Sequence, residues 1–233
     1  MPRFPIILLV ATGLLFAASL GLLLALGQAR TRVPGVAAAG TSEHRSTNPL
    51  KPDDNAKDLF IPPFKLTDQE DRPFTNDAFM GHVTIVDFYF THCRSICPVL
   101  VEHMRDQARA LKGTGVKFLS ISVDPEHDTP AVIKAYAQEH GADLAQWTFT
   151  TGDRQTIGEI IQRGLKFLVG DDPSPAAAIQ LEGGGTMGNI VHPSWFVLIG
   201  PKGEVLGFYL ADYDEDMRAL TERARAAAAT LGN

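Results

Sequence analysis

Residues 83–90 (VTIVDFYF) are β-branched or aromatic at nearly every position, with Asp87 the one charge among them. A run that continuous reads as a strand buried on both faces, the kind found where helices cover both sides of a mainly parallel sheet. It leads into Thr91-His92-Cys93-Arg94-Ser95-Ile96-Cys97, after which Pro98 opens a helical stretch to about Leu111. Proline suits a first helical position because its missing N–H would have no partner there. The loop between such a strand and such a helix lies at the carboxyl end of the sheet, where open α/β folds gather their sites.

The rest of the chain repeats the alternation. Residues 64–67 and 72–74 flank Asp68-Gln69-Glu70-Asp71 as an entrance hairpin. Residues 116–123 (VKFLSISV) form a second strand closed by Asp124-Pro125. Thr129 caps a helix that Pro130 begins and Gly141 stops. A short strand at 147–150 precedes a helix at 153–163, and residues 165–191 read as a long loop with Gly183-Gly184-Gly185. Strands at 194–199 and 205–210 flank Gly200-Pro201-Lys202-Gly203, and a helix covers 214–231. Hairpin, βαβαβα, ββα is an α/β, thioredoxin-like layout with an N-terminal hairpin and an insertion before the closing β-hairpin. Residues 58–233 are expected to form this domain.

Ahead of it, residues 6–27 contain no charged side chain, with Arg3 before them and Arg30 and Arg32 after. As a helix that run would extend about 33 Å, enough for a bilayer core. Residues 1–30 are therefore expected to be one N-terminal transmembrane helix, or a signal segment left uncleaved. Residues 31–57, rich in Ala, Gly, Pro, Ser and Thr, read as a flexible tether. Beyond residue 40 the chain has 18 basic against 27 acidic side chains. So acidic a body offers no footprint for nucleic acid, whose binding neutralises phosphates.

Cys93 and Cys97 are the only cysteines. Cys97, directly before a proline, is expected to sit outside the helix as a cap-like residue, its sulfur facing the helix N–H groups. Three residues between the cysteines, where thiol-exchange pairs usually have two, open a loop in which both sulfurs can face one ion. Two sulfurs rarely complete a metal site, so a third donor is expected. His44 falls in the tether, and His82, His103, His127 and His140 read as solvated or capping residues. His92 adjoins Cys93, and adjacent side chains tend to point apart. His192 differs: it precedes Pro193 and the strand that opens the closing hairpin, so the layout brings it back to the cysteine loop. Proline in that place often follows a cis bond. A Cys₂His set is soft and small, suited to Cu(I) with three ligands or to Cu(II) with a further weak one. Met187 is a candidate for that weak contact, though a loop or core role suits it better.

Four segments together resemble the Sco/SenC family: Phe64, Leu66 and Asp68 (F-x-L-x-D); residues 87–98 (DFYFTHCxxxCP); residues 122–130 (SVDPEHDTP); and residues 192–199 (HxSxFVLI). The resemblance covers about residues 58–220. It implies a membrane-tethered, thioredoxin-like copper protein that helps assemble the dinuclear copper centre of cytochrome c oxidase. Cys93, Cys97 and His192 match the family's copper ligands. The implied setting is the inner membrane with the domain in the periplasm, or the intermembrane space of a mitochondrion. Implied partners are oxidase subunit II or a related copper client, a copper donor and a thiol reductant. Pro193 stands where the family commonly has Ser after the His, and Val191 where many members have Asp. The same thiols would also serve a thiol–disulfide oxidoreductase, with Cys93 the better attacking group, or a redox or copper sensor.

Overall fold

The computed structural model describes residues 45–94, 96–172, 174, 177–181 and 184–232. The apolar run at 6–27 lies outside them, and among the described residues no helix is long and apolar enough to cross a membrane.

A seven-stranded sheet organises the domain. Its strands are β1 (Lys65–Asp68), β2 (Pro73–Thr75), β3 (Thr84–Tyr89), β4 (Lys117–Ser122), β5 (Trp147–Thr151), β10 (Trp195–Ile199) and β11 (Val205–Leu210), in the order β11-β10-β3-β4-β5-β1-β2. The central β3, β4 and β5 are parallel, and antiparallel pairs flank them on both sides. All six residues of β3 are buried, as the sequence predicts for a strand covered on both faces.

Helix α1 (Cys97–Ala110) follows β3, α2 (Pro130–Glu139) follows β4, and α3 (Arg154–Gly158) follows β5. The helix expected at 153–163 is α-helical only in α3 and continues as a π-helical turn, Glu159–Gly164. Thr129 caps α2 by accepting from Val132 N–H at 3.4 Å, and Asp153 caps α3 by accepting from Thr156 N–H at 2.8 Å. Gly141, just past α2, has φ +67°, the left-handed turn that a helix stop favours. Helix α4 (Asp214–Leu231) closes the chain and packs on α1 and β11.

Residues 165–191 contain two ribbons rather than a plain loop. Strand β6 (Gly170–Asp171) pairs with β9 (Ile190–Val191), and β7 (Ile179–Gln180) pairs with β8 (Thr186–Met187). Phe167 stacks on Trp195 with centroids 6.1 Å apart, fastening the start of the insertion to β10.

Residues 45–57, expected as the end of the tether, pack on the domain instead. Asp53 and Ala56 are buried, and Arg223 of α4 reaches Asp53 and the carbonyls of Pro49 and Lys51. The small and polar composition of the stretch concealed this, because it is held by hydrogen bonds more than by an apolar face.

Candidate metal centre

Register explains why His192 meets the cysteine loop. Strands β3 and β10 are antiparallel with Val86 opposite Val197, a pairing that extrapolates to Thr91 opposite His192. The β6–β9 ribbon fixes the approach, since β9 ends at Val191, one residue before the histidine. The ligand atoms of Cys93, Cys97 and His192 all lie within 4.8 Å of one another. His192 Nε2 is 3.4 Å from Cys97 Sγ. Its Nδ1 is 3.1 Å from the Pro193 carbonyl, and a proton held there leaves Nε2 as the lone-pair donor facing the sulfur. Phe90 packs edge-on to the imidazole with centroids 5.7 Å apart, further restraining the ring. Among the described residues no peptide bond is cis, so the proline after His192 turns the chain through a trans bond.

Helix α1 starts one residue earlier than expected. Its N-cap is Ile96, and Cys97 is the first helical residue despite preceding Pro98. The sulfur at the helix start is therefore that of Cys93, which accepts from Cys97 N–H at 3.4 Å. Cys97 Sγ is directed inward instead. Neither cysteine is in a disulfide and both are buried, Cys97 with 1% of its surface exposed and Cys93 with 7%. The hydrogen bond with Cys93 pushes the Cys97 thiol well up, with burial adding to the effect. Two thiolates side by side in this interior are unfavourable unless a cation lies between them. A soft monovalent or divalent ion can fill that place.

Beneath the pair, Asp87 is buried in β3 and its Oδ1 has no hydrogen-bond partner. Burial pushes its carboxyl up to about 7, against the opposing pull of a Ser120 hydrogen bond and the His192 charge. In the sequence Asp87 stands as the one charge of an apolar run and the first residue of the 87–98 motif, with no role at the site assigned to it.

Of the other histidines weighed from the sequence, His92 and His127 lie in a neighbouring cluster with their rings 5.4 Å apart, and His140 packs on Tyr136 with centroids 4.2 Å apart. His127 Nδ1 is 2.8 Å from Asp124 Oδ2, which holds the imidazole's proton above its ordinary range. Met187 pairs in register with Ile179 within the insertion ribbon. A cleft lined by Arg94, Ala178, Ile179 and Asn189 lies beside the cysteine loop.

A family model described as SCO1/SenC matches residues 52–229. The chain belongs to the SCO1/SenC family. The SCO1 protein homolog of Bacillus subtilis is 33% identical over 152 residues, 64% of this chain and 72% of that protein. A structure of BsSco, described as a member of the Sco family of cytochrome c oxidase assembly proteins with a disulfide switch, matches at 28% identity. Its TM-score is 0.61, over 73% of this chain and 94% of that one. Copper-bound ScoI of Bradyrhizobium japonicum matches at 25% identity and a TM-score of 0.58, over 71% of this chain and 99% of that one. The Sco fold is the thioredoxin-like α/β architecture read from the alternation of elements.

Proposed function

We propose that this chain binds copper through Cys93, Cys97 and His192 and delivers it to the dinuclear copper site of cytochrome c oxidase during assembly. The observation that carries the reading is the convergence of two sulfurs and one imidazole nitrogen within 4.8 Å. That donor set favours copper over harder ions, and three ligands suffice for Cu(I). Zinc would call for a fourth. The copper-bound relative and the relative assigned to oxidase assembly support cargo and process together.

Copper is the cargo, so the site must release what it binds. Cys93 and His192 lie nearer the surface than Cys97, which is all but inaccessible. A client's own cysteine or histidine would replace the outer donors first, and Cys97 last. Loading requires both thiols reduced, which in an oxidising compartment implies a thiol donor. The apolar run at 6–27 would anchor the domain to the inner membrane, facing the periplasm or the mitochondrial intermembrane space.

A second reading, dithiol exchange, has one observation in its favour: Cys97 N–H supports the Cys93 sulfur, as a helix start does for an attacking thiolate. The discriminating experiment is an anaerobic Cu(I) competition titration of the reduced full chain and its His192→Ala variant, with disulfide reductase activity measured in parallel. Copper delivery predicts one tight equivalent that the substitution weakens while reductase activity is unaffected. Weak binding indifferent to His192 would turn the assignment to dithiol exchange.

A further inference from the structure

A second set of donors converges one residue away from the first. His92, Asp124 and Asp128 each place a ligand atom within 4.8 Å of the other two. The sheet produces this juxtaposition. Strands β3 and β4 are parallel with Tyr89 beside Ser122, so the loops leaving them run together, and Val123 N–H donates to the Tyr89 carbonyl at 2.8 Å. His92 comes from the first loop, and Asp124 and Asp128 come from the second.

Both carboxylates are buried, Asp124 with 1% and Asp128 with 0% of the surface exposed. Among the described residues the cation recorded against them is the His127 imidazole on Asp124, when protonated. Side-by-side buried carboxylates are costly without a positive charge between them. Hydrogen bonds orient Asp128 without neutralising it: Thr91 donates from its N–H and hydroxyl, and Ser122 donates from its hydroxyl. A carboxylate has about four lone-pair sites, so three donors leave room for a further partner. On Asp124 a single His127 nitrogen, Nδ1, lies 3.0 Å from Oδ1 and 2.8 Å from Oδ2, so this carboxylate too has more lone pairs than one donor uses. His92 is half-buried and gives the cluster its route to solvent.

We propose that His92, Asp124 and Asp128 form a second metal site, distinct from the cysteine pair, that takes a borderline divalent cation of the Cu²⁺ or Zn²⁺ class. One imidazole nitrogen and two carboxylate oxygens are a harder set than two sulfurs and a nitrogen, so the site discriminates against Cu(I). His127 is a positioning residue that holds the Asp124 carboxylate. The two sites share residues 91–93: Thr91 fixes Asp128, His92 supplies a donor here, and Cys93 supplies one to the sulfur site.

The test removes the first site altogether, so its outcome does not depend on the copper-delivery reading. The full chain carrying Cys93→Ser, Cys97→Ser and His192→Ala is titrated with Cu²⁺ alone, followed by electron paramagnetic resonance and calorimetry. The expected result is one saturable equivalent with a tetragonal spectrum, nitrogen hyperfine coupling from an imidazole, and loss of that signal on competition with Zn²⁺. Adding His92→Ala or Asp124→Asn should weaken binding by at least about tenfold with the circular dichroism spectrum unchanged. Should Asp124→Asn unfold the chain, the half-exposed His92→Ala decides alone. No saturable equivalent, or an affinity indifferent to His92, would overturn the proposal and leave the cluster as a hydrogen-bonded loop brace.

Discussion

Two buried polar clusters of this domain are built in opposite ways. Arg223 of α4 lies against Asp53, Nη1 2.7 Å from Oδ1, and every guanidinium N–H is engaged. Its Nε donates to Pro49, Nη1 to Asp53 and Tyr209, and Nη2 to the carbonyls of Lys51 and Leu206. Even the backbone beside it is shaped to the pair: a Cβ at Gly207 would stand 2.4 Å from Asp53 Oδ2. At the cysteine site, by contrast, the two buried sulfurs lie against each other, a backbone N–H and the His192 imidazole, with no cation among the described contacts, and buried Asp87 nearby has an oxygen with no hydrogen-bond partner. A fully satisfied network locks a segment onto the fold. An incompletely satisfied one keeps its donors for something that arrives later.

That contrast separates what substitutions do. Arg223→Ala should cost about 3–5 kcal/mol of stability, because it leaves Asp53 charged and buried without its partner. The fraction that stays folded should bind copper as before. Denaturant unfolding of the full chain, followed by a copper titration of the folded protein, checks both halves. Cys97→Ser should do the converse, lowering Cu(I) affinity by at least about a hundredfold at a smaller cost in stability. A chelator competition on the reduced protein reads this directly.

Asp87 gives a pH signature. Its folded carboxyl titrates at about 7 against 3.8 for an ordinary aspartate. The folded protein therefore keeps a proton that the unfolded chain has already lost, and this group's contribution to stability falls as pH rises from about 4 to 7. Relative to Asp87→Asn, the unmodified chain should lose roughly 2 kcal/mol of stability between pH 5 and 7, at about 1.4 kcal/mol per pH unit. Parallel slopes in unfolding experiments across that range would show that Asp87 ionises normally. The smallest effect belongs to Met187→Leu. With Met187 held in the insertion ribbon, copper affinity should change by less than about twofold, and a larger drop would bring its thioether into the metal site.

Much of this was legible in the sequence because it rests on patterns of one strand or one helix end. The β3 run, the Thr129-Pro130 helix start and the strand–loop–helix setting of the cysteines are local signals, and the layout they imply returns His192 to Cys93 and Cys97. The direction of each sulfur was less accessible. Pro98 argued for Cys97 outside the helix, but the helix begins on Cys97, and Cys93 receives the N–H instead. The packing of residues 45–57 on the domain was hidden for another reason. The stretch is held by scattered long-range contacts, among them Arg223 to Asp53 some 170 positions apart, Arg45 to Asp216, and Asp53 N–H to the Leu206 carbonyl, and no apolar periodicity records them. The His92–Asp124–Asp128 cluster depends on the register of two parallel strands, and histidine-by-histidine reading could not assemble it.

The most direct test of the account is an X-ray absorption spectrum at the copper edge, taken on the reduced full chain loaded with one equivalent of Cu(I). A site built from Cys93, Cys97 and His192 gives two sulfur scatterers and one imidazole nitrogen, with the nitrogen shell lost in His192→Ala and a sulfur lost in Cys97→Ser. A shell of two sulfurs with no nitrogen in the unmodified chain, or one unchanged by His192→Ala, would contradict the three-donor site.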